Sequence, residues 1–90
     1  MKKETKQNLR ILCEKYEYRL HYERNDLFLK KANEVIKISN GRKDNLVVTY
    51  EVLDAKTEIE IAYEFIFDIL ILIFERRTKD KVILLSLIHI

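Results

Sequence analysis

Residues Thr57 to Glu75 constrain the fold more than any other segment, because nineteen consecutive residues contain neither Gly nor Pro. Counted in twos from Ile59 to Ile73, every residue is apolar or aromatic, as on one face of a β-strand. Counted in threes and fours, a set of polar residues falls on one narrow stripe, as on a mostly buried helix: Thr57, Glu60, Glu64, Asp68 and Glu75. Whichever of these two periods prevails decides the fold class.

We predict that this segment is a helix. A strand usually runs about 3–10 residues, and this segment is nearly twice as long without a turn signal. Thr57 and Glu60 have the spacing of a capping box, in which each side chain accepts a free backbone N–H at a helix start. Acidic residues also precede basic ones, which suits the helix dipole: Glu58, Glu60 and Glu64, then Arg76, Arg77 and Lys79. The abundant Ile argues against a helix, because its β-branched side chain is stiff there.

Two elements are predicted in the first quarter of the chain. Residues 4–15 favour a helix, because apolar side chains recur there at spacings of three and four. From Tyr16 to Glu23 apolar and polar residues alternate, which favours a strand. The helix could instead continue to about Arg24. Asn25 and Asp26 then indicate a turn.

The middle of the chain predicts two strands joined by a hairpin. Residues 27–40 could form a helix closed by Gly41, but we predict a strand at Glu34–Ser39, since the polar residues 40–45 are typical of a hairpin connection. Leu46–Leu53 is the clearest strand. Lys81–Ile90 predicts a further strand that is apolar on both faces and therefore covered.

Together these elements predict one α+β domain over residues 1–90. Their order is α-β-β-β-α-β, with the helices packed on one face of a mainly antiparallel sheet. A mostly β meander is the alternative if residues 57–75 are extended. Ninety residues are enough for one modest core.

Composition and motifs argue against an enzyme. The chain has one Gly, and it lacks a glycine-rich phosphate loop, an H-E-x-x-H motif, a C-x-x-C motif and a nucleophile elbow. Cys13 has no partner cysteine and is predicted to be a buried apolar residue. His21 and His89 are too isolated to predict a metal site. We therefore predict no catalytic residue, metal or cofactor.

The sequence also predicts a cytoplasmic protein without a membrane span. The first eight residues are polar where a secretory signal would become apolar. The longest apolar stretch, residues 65–74, is interrupted by Asp68 and is about half the roughly 20 residues that a spanning helix needs.

Two charged groups are candidate partner-binding residues. On the predicted long helix, Glu60, Glu64 and Asp68 form an acidic stripe, and repulsion within it suggests a basic neighbour, Arg19 or Lys37. Arg42 and Lys43 form a basic tip on the predicted hairpin. Either group could dock on a protein surface of opposite charge.

We predict that the chain self-associates as a homodimer, held by the Ile-rich helix and by the strand that ends at Ile90. The predicted function is a small non-catalytic protein-interaction module. Compact chains of this kind are common as accessory or inhibitor proteins of phages and other mobile elements.

Nucleic-acid binding is the alternative function. Cations for phosphates and flat rings for stacking are interleaved in the chain, with candidate residues Arg76, Arg77, Lys79, Tyr18 and Tyr22. The predicted helix, three strands and helix resemble the layout of double-stranded RNA-binding domains. The basic cluster which that resemblance implies at the start of the last helix is replaced by Glu58, Glu60 and Glu64.

Overall fold

The computed structural model describes residues 2–76, which form an antiparallel sheet between two helices in the sequence. The predicted strand at Lys81–Ile90, Arg77 and Lys79 lie outside the described residues. The elements, in chain order, are α1 (Lys3–Lys15), β1 (Arg19–Glu23), β2 (Asp26–Lys31), β3 (Glu34–Asn40), β4 (Asn45–Val52), β5 (Ala55–Ala62), a 3-10 turn (Tyr63–Phe65) and α2 (Ile66–Glu75). The five strands pair in sequence order, each antiparallel to the next. The predicted α+β class is confirmed.

The helix α1 forms where the sequence predicts it. Thr5, Leu9 and Cys13 are buried at a spacing of four, so one face of the helix packs on the sheet. The backbone of Glu17 then adopts a left-handed φ of 63°, and the amide of Tyr18 bonds to the carbonyl of Cys13 at 2.8 Å. The alternative in which this helix continues to Arg24 is therefore wrong.

The sheet buries one face because its strands are in register. Leu29 pairs with Ile36, and Ile36 pairs with Tyr50 on the next strand. Val48 pairs with Ile59 in the same way. Side chains alternate across a strand, so these apolar residues all point to the side that the helices cover. Of the outward residues of β4, Thr49 is buried and Val47 is half-buried, so this interior strand is largely covered on both faces up to the exposed Glu51.

The predicted helix over 57–75 is wrong in its first half. Residues 55–62 are the strand β5, in which Ile59 and Ile61 are buried while Glu58 and Glu60 are exposed. Thr57 lies within this strand, opposite Tyr50, so the predicted capping box does not form. Pairing with β4 buries the apolar side chains that recur at every second position. The free energy of this long-range pairing outweighs the local preference for a helix.

The strand β2 was not predicted, because Asp26–Lys31 spans a turn signal and the start of an ambiguous segment. Five strands therefore separate the helices in the described chain, where the prediction placed three. The meander given as the alternative describes the sheet itself. The layout resemblance to double-stranded RNA-binding domains fails for the same reason.

The helices lie side by side and run parallel. Near their starts, the hydroxyl of Tyr63 donates to Oγ1 of Thr5 at 2.8 Å. Near their ends, the hydroxyl of Tyr16 donates to Oε1 of Glu75 at 2.8 Å. The ring of Phe74 stacks on Tyr18 with centroids 4.4 Å apart, which anchors the end of α2 on the core. Neither described helix is long and apolar enough to cross a membrane.

A buried carboxylate holds this end of the core together. Glu34 is only 9% exposed, and its Oε1 accepts hydrogen bonds from the hydroxyls of Tyr18 at 2.9 Å and Tyr50 at 2.7 Å. Burial, followed by the hydrogen bond to Glu34, raises the pKa of Tyr18. The phenol therefore stays protonated and keeps donating.

Replacing Tyr18 or Tyr50 by Phe removes one donor from this buried carboxylate. We expect each change to lower the free energy of unfolding by about 1–3 kcal/mol, the usual cost of leaving a buried polar group less satisfied. Tyr22→Phe is the matched control, because Tyr22 is 45% exposed and its change should stay within about 0.5 kcal/mol. Urea unfolding of the three variants checks the prediction, and an equal change in the free energy of unfolding for all three would contradict it.

Three hairpin loops begin with a non-glycine residue in the left-handed region. The φ angles are 58° at Arg24, 51° at Ala32 and 52° at Leu53. A side chain with a Cβ costs roughly 1 kcal/mol in this conformation, whereas glycine adopts it freely.

Ala32→Gly should therefore stabilise the fold by up to about 1 kcal/mol, because it removes this strain at an exposed loop position. Ala62→Gly is the matched control, since Ala62 ends β5 at an ordinary φ of −65°. There the added backbone freedom should destabilise the protein. Thermal unfolding should show Tm shifts of opposite sign. A loss of stability in both variants would show that the backbone of Ala32 is not strained.

Candidate functional site

The predicted acidic stripe does not exist as a helix face. Glu60 lies on β5, Glu64 lies in the 3-10 turn, and Asp68 lies in the first turn of α2. The three were expected at positions i, i+4 and i+8 of one helix. The change from strand to helix between them separates Glu60 from the other two.

Glu60 instead belongs to a small cluster at the β3–β4 connection. Its Oε2 accepts a hydrogen bond from Nδ2 of Asn45 at 2.8 Å, and its Oε1 lies 3.5 Å from Nε of Arg42. These interactions, the bond from Asn45 first, lower the pKa of Glu60. The sequence assigned Arg42 and Glu60 to two separate docking groups, but in the structure they pair with each other. The neighbour proposed for the stripe, Lys37, pairs with Asp26 at 3.6 Å instead.

Lys43 and Glu64 line one open groove of about 740 Å³ at this end of the molecule. Lys2, Asp44 and Tyr63 also line it, so cations and carboxylates are mixed. The backbone amide of Lys2 donates to the hydroxyl of Tyr63 at 3.1 Å, which holds the start of the chain beside the groove. A mixed lining of this kind does not select one sign of charge.

A smaller pocket of about 140 Å³ opens beside this groove, and both are lined by Asn40 and Leu46. We call it the basic pocket, because the charged side chains that line it are Lys6 and Arg24. Nζ of Lys6 lies 5.4 Å from the centre of the Tyr22 ring. The pocket joins α1 to the β1–β2 turn, two segments that are distant in sequence.

The residues predicted to bind nucleic acid are dispersed. Tyr18 is 5% exposed and belongs to the core, so it cannot stack on a base. Tyr22 is half-exposed and lines the basic pocket. Arg76 is exposed just after α2, two residues beyond the Phe74 ring that stacks on Tyr18, and Arg77 and Lys79 lie outside the described residues. Within residues 2–76, the two predicted tyrosines therefore lie in different places, Tyr18 in the core and Tyr22 at the basic pocket.

A third depression lies between the two helices. We call it the helical groove; it has a volume of about 290 Å³ and is lined by Asn8, Ile11, Leu12, Lys15, Phe67 and Ile71. Ile11 is 65% exposed, and Ile71 and Leu72 on α2 are also exposed. The sequence analysis missed this surface. The position of Ile11, two residues after buried Leu9 and so on the opposite side of α1, is the signal that could have found it.

Potential ligands for a metal are not grouped. No cluster of three or more His, Cys, Asp or Glu side chains suited to a metal ion occurs within residues 2–76. His21 is exposed and lies 3.5 Å from Glu23, while His89 is outside the described residues. Cys13 is buried, as predicted, and burial raises the pKa of its thiol from 9.0 to about 11.

The raised pKa predicts an unreactive thiol. Near pH 8 the thiolate fraction of Cys13 is small and the side chain is buried, so iodoacetamide should label native protein far more slowly than protein in denaturant. The folded pKa exceeds the unfolded one, so this group's contribution to stability is complete below about pH 9 and is lost as pH rises towards about 11. Cys13→Ala should flatten that alkaline loss. Equal labelling rates with and without denaturant would contradict the prediction.

Comparisons with known proteins give no relative for this chain: no protein-family model, curated protein or solved structure matches it.

Proposed function

We propose that this protein is a small non-catalytic interaction module that self-associates through the outer face of its two helices. The observation that supports this proposal is the helical groove, where apolar side chains of α1 and α2 are open to solvent. Contiguous exposed apolar surface is the usual mark of a protein–protein contact.

The composition of α2 is the first argument. Five of its ten residues, including Ile69 and Ile73, are buried against the sheet side. Its other side still carries Phe67, Ile71 and Leu72, which are partly or largely exposed. Asp68 and Glu75 are exposed among them, and the apolar side chains of such an outer side are the part that a partner surface covers. The sheet covers one side of α2, and a second protein surface would cover the other.

The shape of the face favours a second copy of this chain. Ile11 projects from α1, and beside it lies the depression lined by Leu12 and Phe67. A two-fold interface needs a projection and a matching depression on the same surface. Two copies can therefore each place Ile11 in the helical groove of the other.

Polar residues border this apolar surface. Asn8 and Lys15 lie along the α1 side of the groove, and Asp68 and Glu75 are exposed on α2. An apolar centre with a polar border is the common anatomy of a protein interface. Of the residues predicted to bind a partner, Asp68 is exposed on α2, whereas Lys43 and Glu64 line the open groove and Arg42 and Glu60 belong to the cluster at the β3–β4 connection.

The test is the oligomeric state of a variant with both Ile11→Asp and Ile71→Asp, measured by sedimentation equilibrium. We expect a dimer for the unchanged protein and a monomer for the variant, because each carboxylate would have to lose water inside the interface. The dimer should persist at high salt, since burial of apolar surface is not screened.

Leu53→Asp is the matched control. Leu53 is the most exposed of the large apolar residues described, at 75%, but it lies in the β4–β5 loop and not in the helical groove. The control should remain a dimer. A monomeric unchanged protein, or loss of the dimer in the control as well, would refute self-association through this face.

A further inference from the structure

The basic pocket has the lining of an anion site. Its polar lining side chains are cations, amides, a hydroxyl and a phenol: Lys6, Tyr22, Arg24, Asn25, Ser39 and Asn40. None of the carboxylates within residues 2–76 lines it. Such a set offers hydrogen-bond donors from several elements at once, which suits the oxygens of a phosphate.

The two cations of this pocket are available. Within residues 2–76 the ion pairs are formed by His21, Lys37 and Arg42, and neither Lys6 nor Arg24 takes part in one. The carboxylates beside Arg24 in the sequence are engaged elsewhere, since Glu23 lies 3.5 Å from His21 and Asp26 lies 3.6 Å from Lys37. An incoming anion would therefore not have to displace a protein carboxylate in the described part of the chain.

The apolar floor of the pocket strengthens the attraction between its cations and an anion. Leu27, Ile38 and Leu46 line it and are at most 3% exposed, so apolar atoms lie beneath the cations. Opposite charges attract more strongly beside such a surface than in bulk water, because the effective dielectric constant is lower.

The volumes suggest how a ligand would divide between the two depressions. The basic pocket, at about 140 Å³, holds roughly four or five volumes of the ≈ 30 Å³ that a water molecule occupies, enough for a phosphate group but not for a base and sugar. The adjoining groove of about 740 Å³ is large enough for those, and it offers the ring of Tyr63 and the amide oxygen of Asn45, whose Nδ2 bonds to Glu60. Amides bond to base edges, and aromatic rings stack on bases.

We propose that the basic pocket binds the phosphate of a nucleotide, free or within a single strand, with the base and sugar in the adjoining groove. Lys6 and Arg24 contact the phosphate, and Asn40, which lines both depressions, lies where the phosphate and the sugar join. This site is independent of the helical groove and of self-association.

The test is binding of a fluorescein-labelled single-stranded oligonucleotide of about ten residues, followed by anisotropy at about 50 mM salt. Lys6→Gln with Arg24→Gln should weaken binding at least about tenfold and lower the slope of log K against log salt by about 0.7 for each phosphate that the variant no longer neutralises. Tyr22→Leu should also weaken binding, because it removes the ring that lies 5.4 Å from Nζ of Lys6 and helps to hold this cation in the pocket.

Lys30→Gln with Lys56→Gln is the matched control. Both residues are exposed, both point to the sheet face away from the helices, and the change in net charge is the same. This control should bind within about twofold of the unchanged protein, since it weakens only the general electrostatic attraction. Circular dichroism confirms that each variant is folded.

Calorimetry with adenosine monophosphate and with inorganic phosphate separates the two sources of the phosphate. If adenosine monophosphate gives a binding heat that is lost in the Lys6→Gln, Arg24→Gln variant, the site binds free nucleotides. If the oligonucleotide binds but the mononucleotide gives no heat, the site binds a strand. Either result supports the proposal. Absence of binding for all three probes, or equal weakening in the pocket variant and the control, would overturn it.

Discussion

Pairing of β4 with β5 is the interaction on which the rest of the described structure depends. Opposite Leu46 and Val48 it places Ile61 and Ile59, and these four side chains join the core. Because residues 55–62 form this strand, α2 cannot start before residue 63 and is short. Its start is then fixed beside α1 by the hydrogen bond from Tyr63 to Thr5. The parallel helix pair and the helical groove both follow from that strand.

The same pairing explains why Glu60 interacts with other residues of the chain, whereas a position on a solvated helix face would have left it exposed to a partner. Once Glu60 stands on β5, it comes within reach of Arg42 and Asn45 on the neighbouring connection. Its charge is then largely compensated by the chain itself. Two charged residues that the sequence suggests as docking residues can thus pair with each other, because sheet register brings distant positions together.

The two surfaces for which we propose a partner differ in their physical character. The helical groove is apolar and lies between α1 and α2, whereas the basic pocket combines cations and amides at the strand ends. Association through the first should persist at high salt, while binding at the second should weaken steeply with salt. The two proposals therefore differ in the salt dependence that each predicts.

Elements whose signals are local could be predicted from the sequence alone. Residues 4–15 have a helical period, 34–39 and 46–53 have strand patterns with polar residues between them, and all three predictions are confirmed. The burial of Cys13 follows from its place on the apolar face of α1. These features depend on neighbours a few positions away, which a single sequence displays directly.

The conformation of residues 57–65 and the composition of the sites depend instead on tertiary contacts. Both periods were present in that segment, and the choice between them depended on whether β4 offered a strand to pair with, which is a non-local energy. For the same reason the sequence named Tyr22 and Lys43 as candidates but could not show that Lys6 and Arg24 line one pocket, or that Ile11 and Phe67 line one groove. Residues this far apart in the chain meet only after the sheet has set their positions.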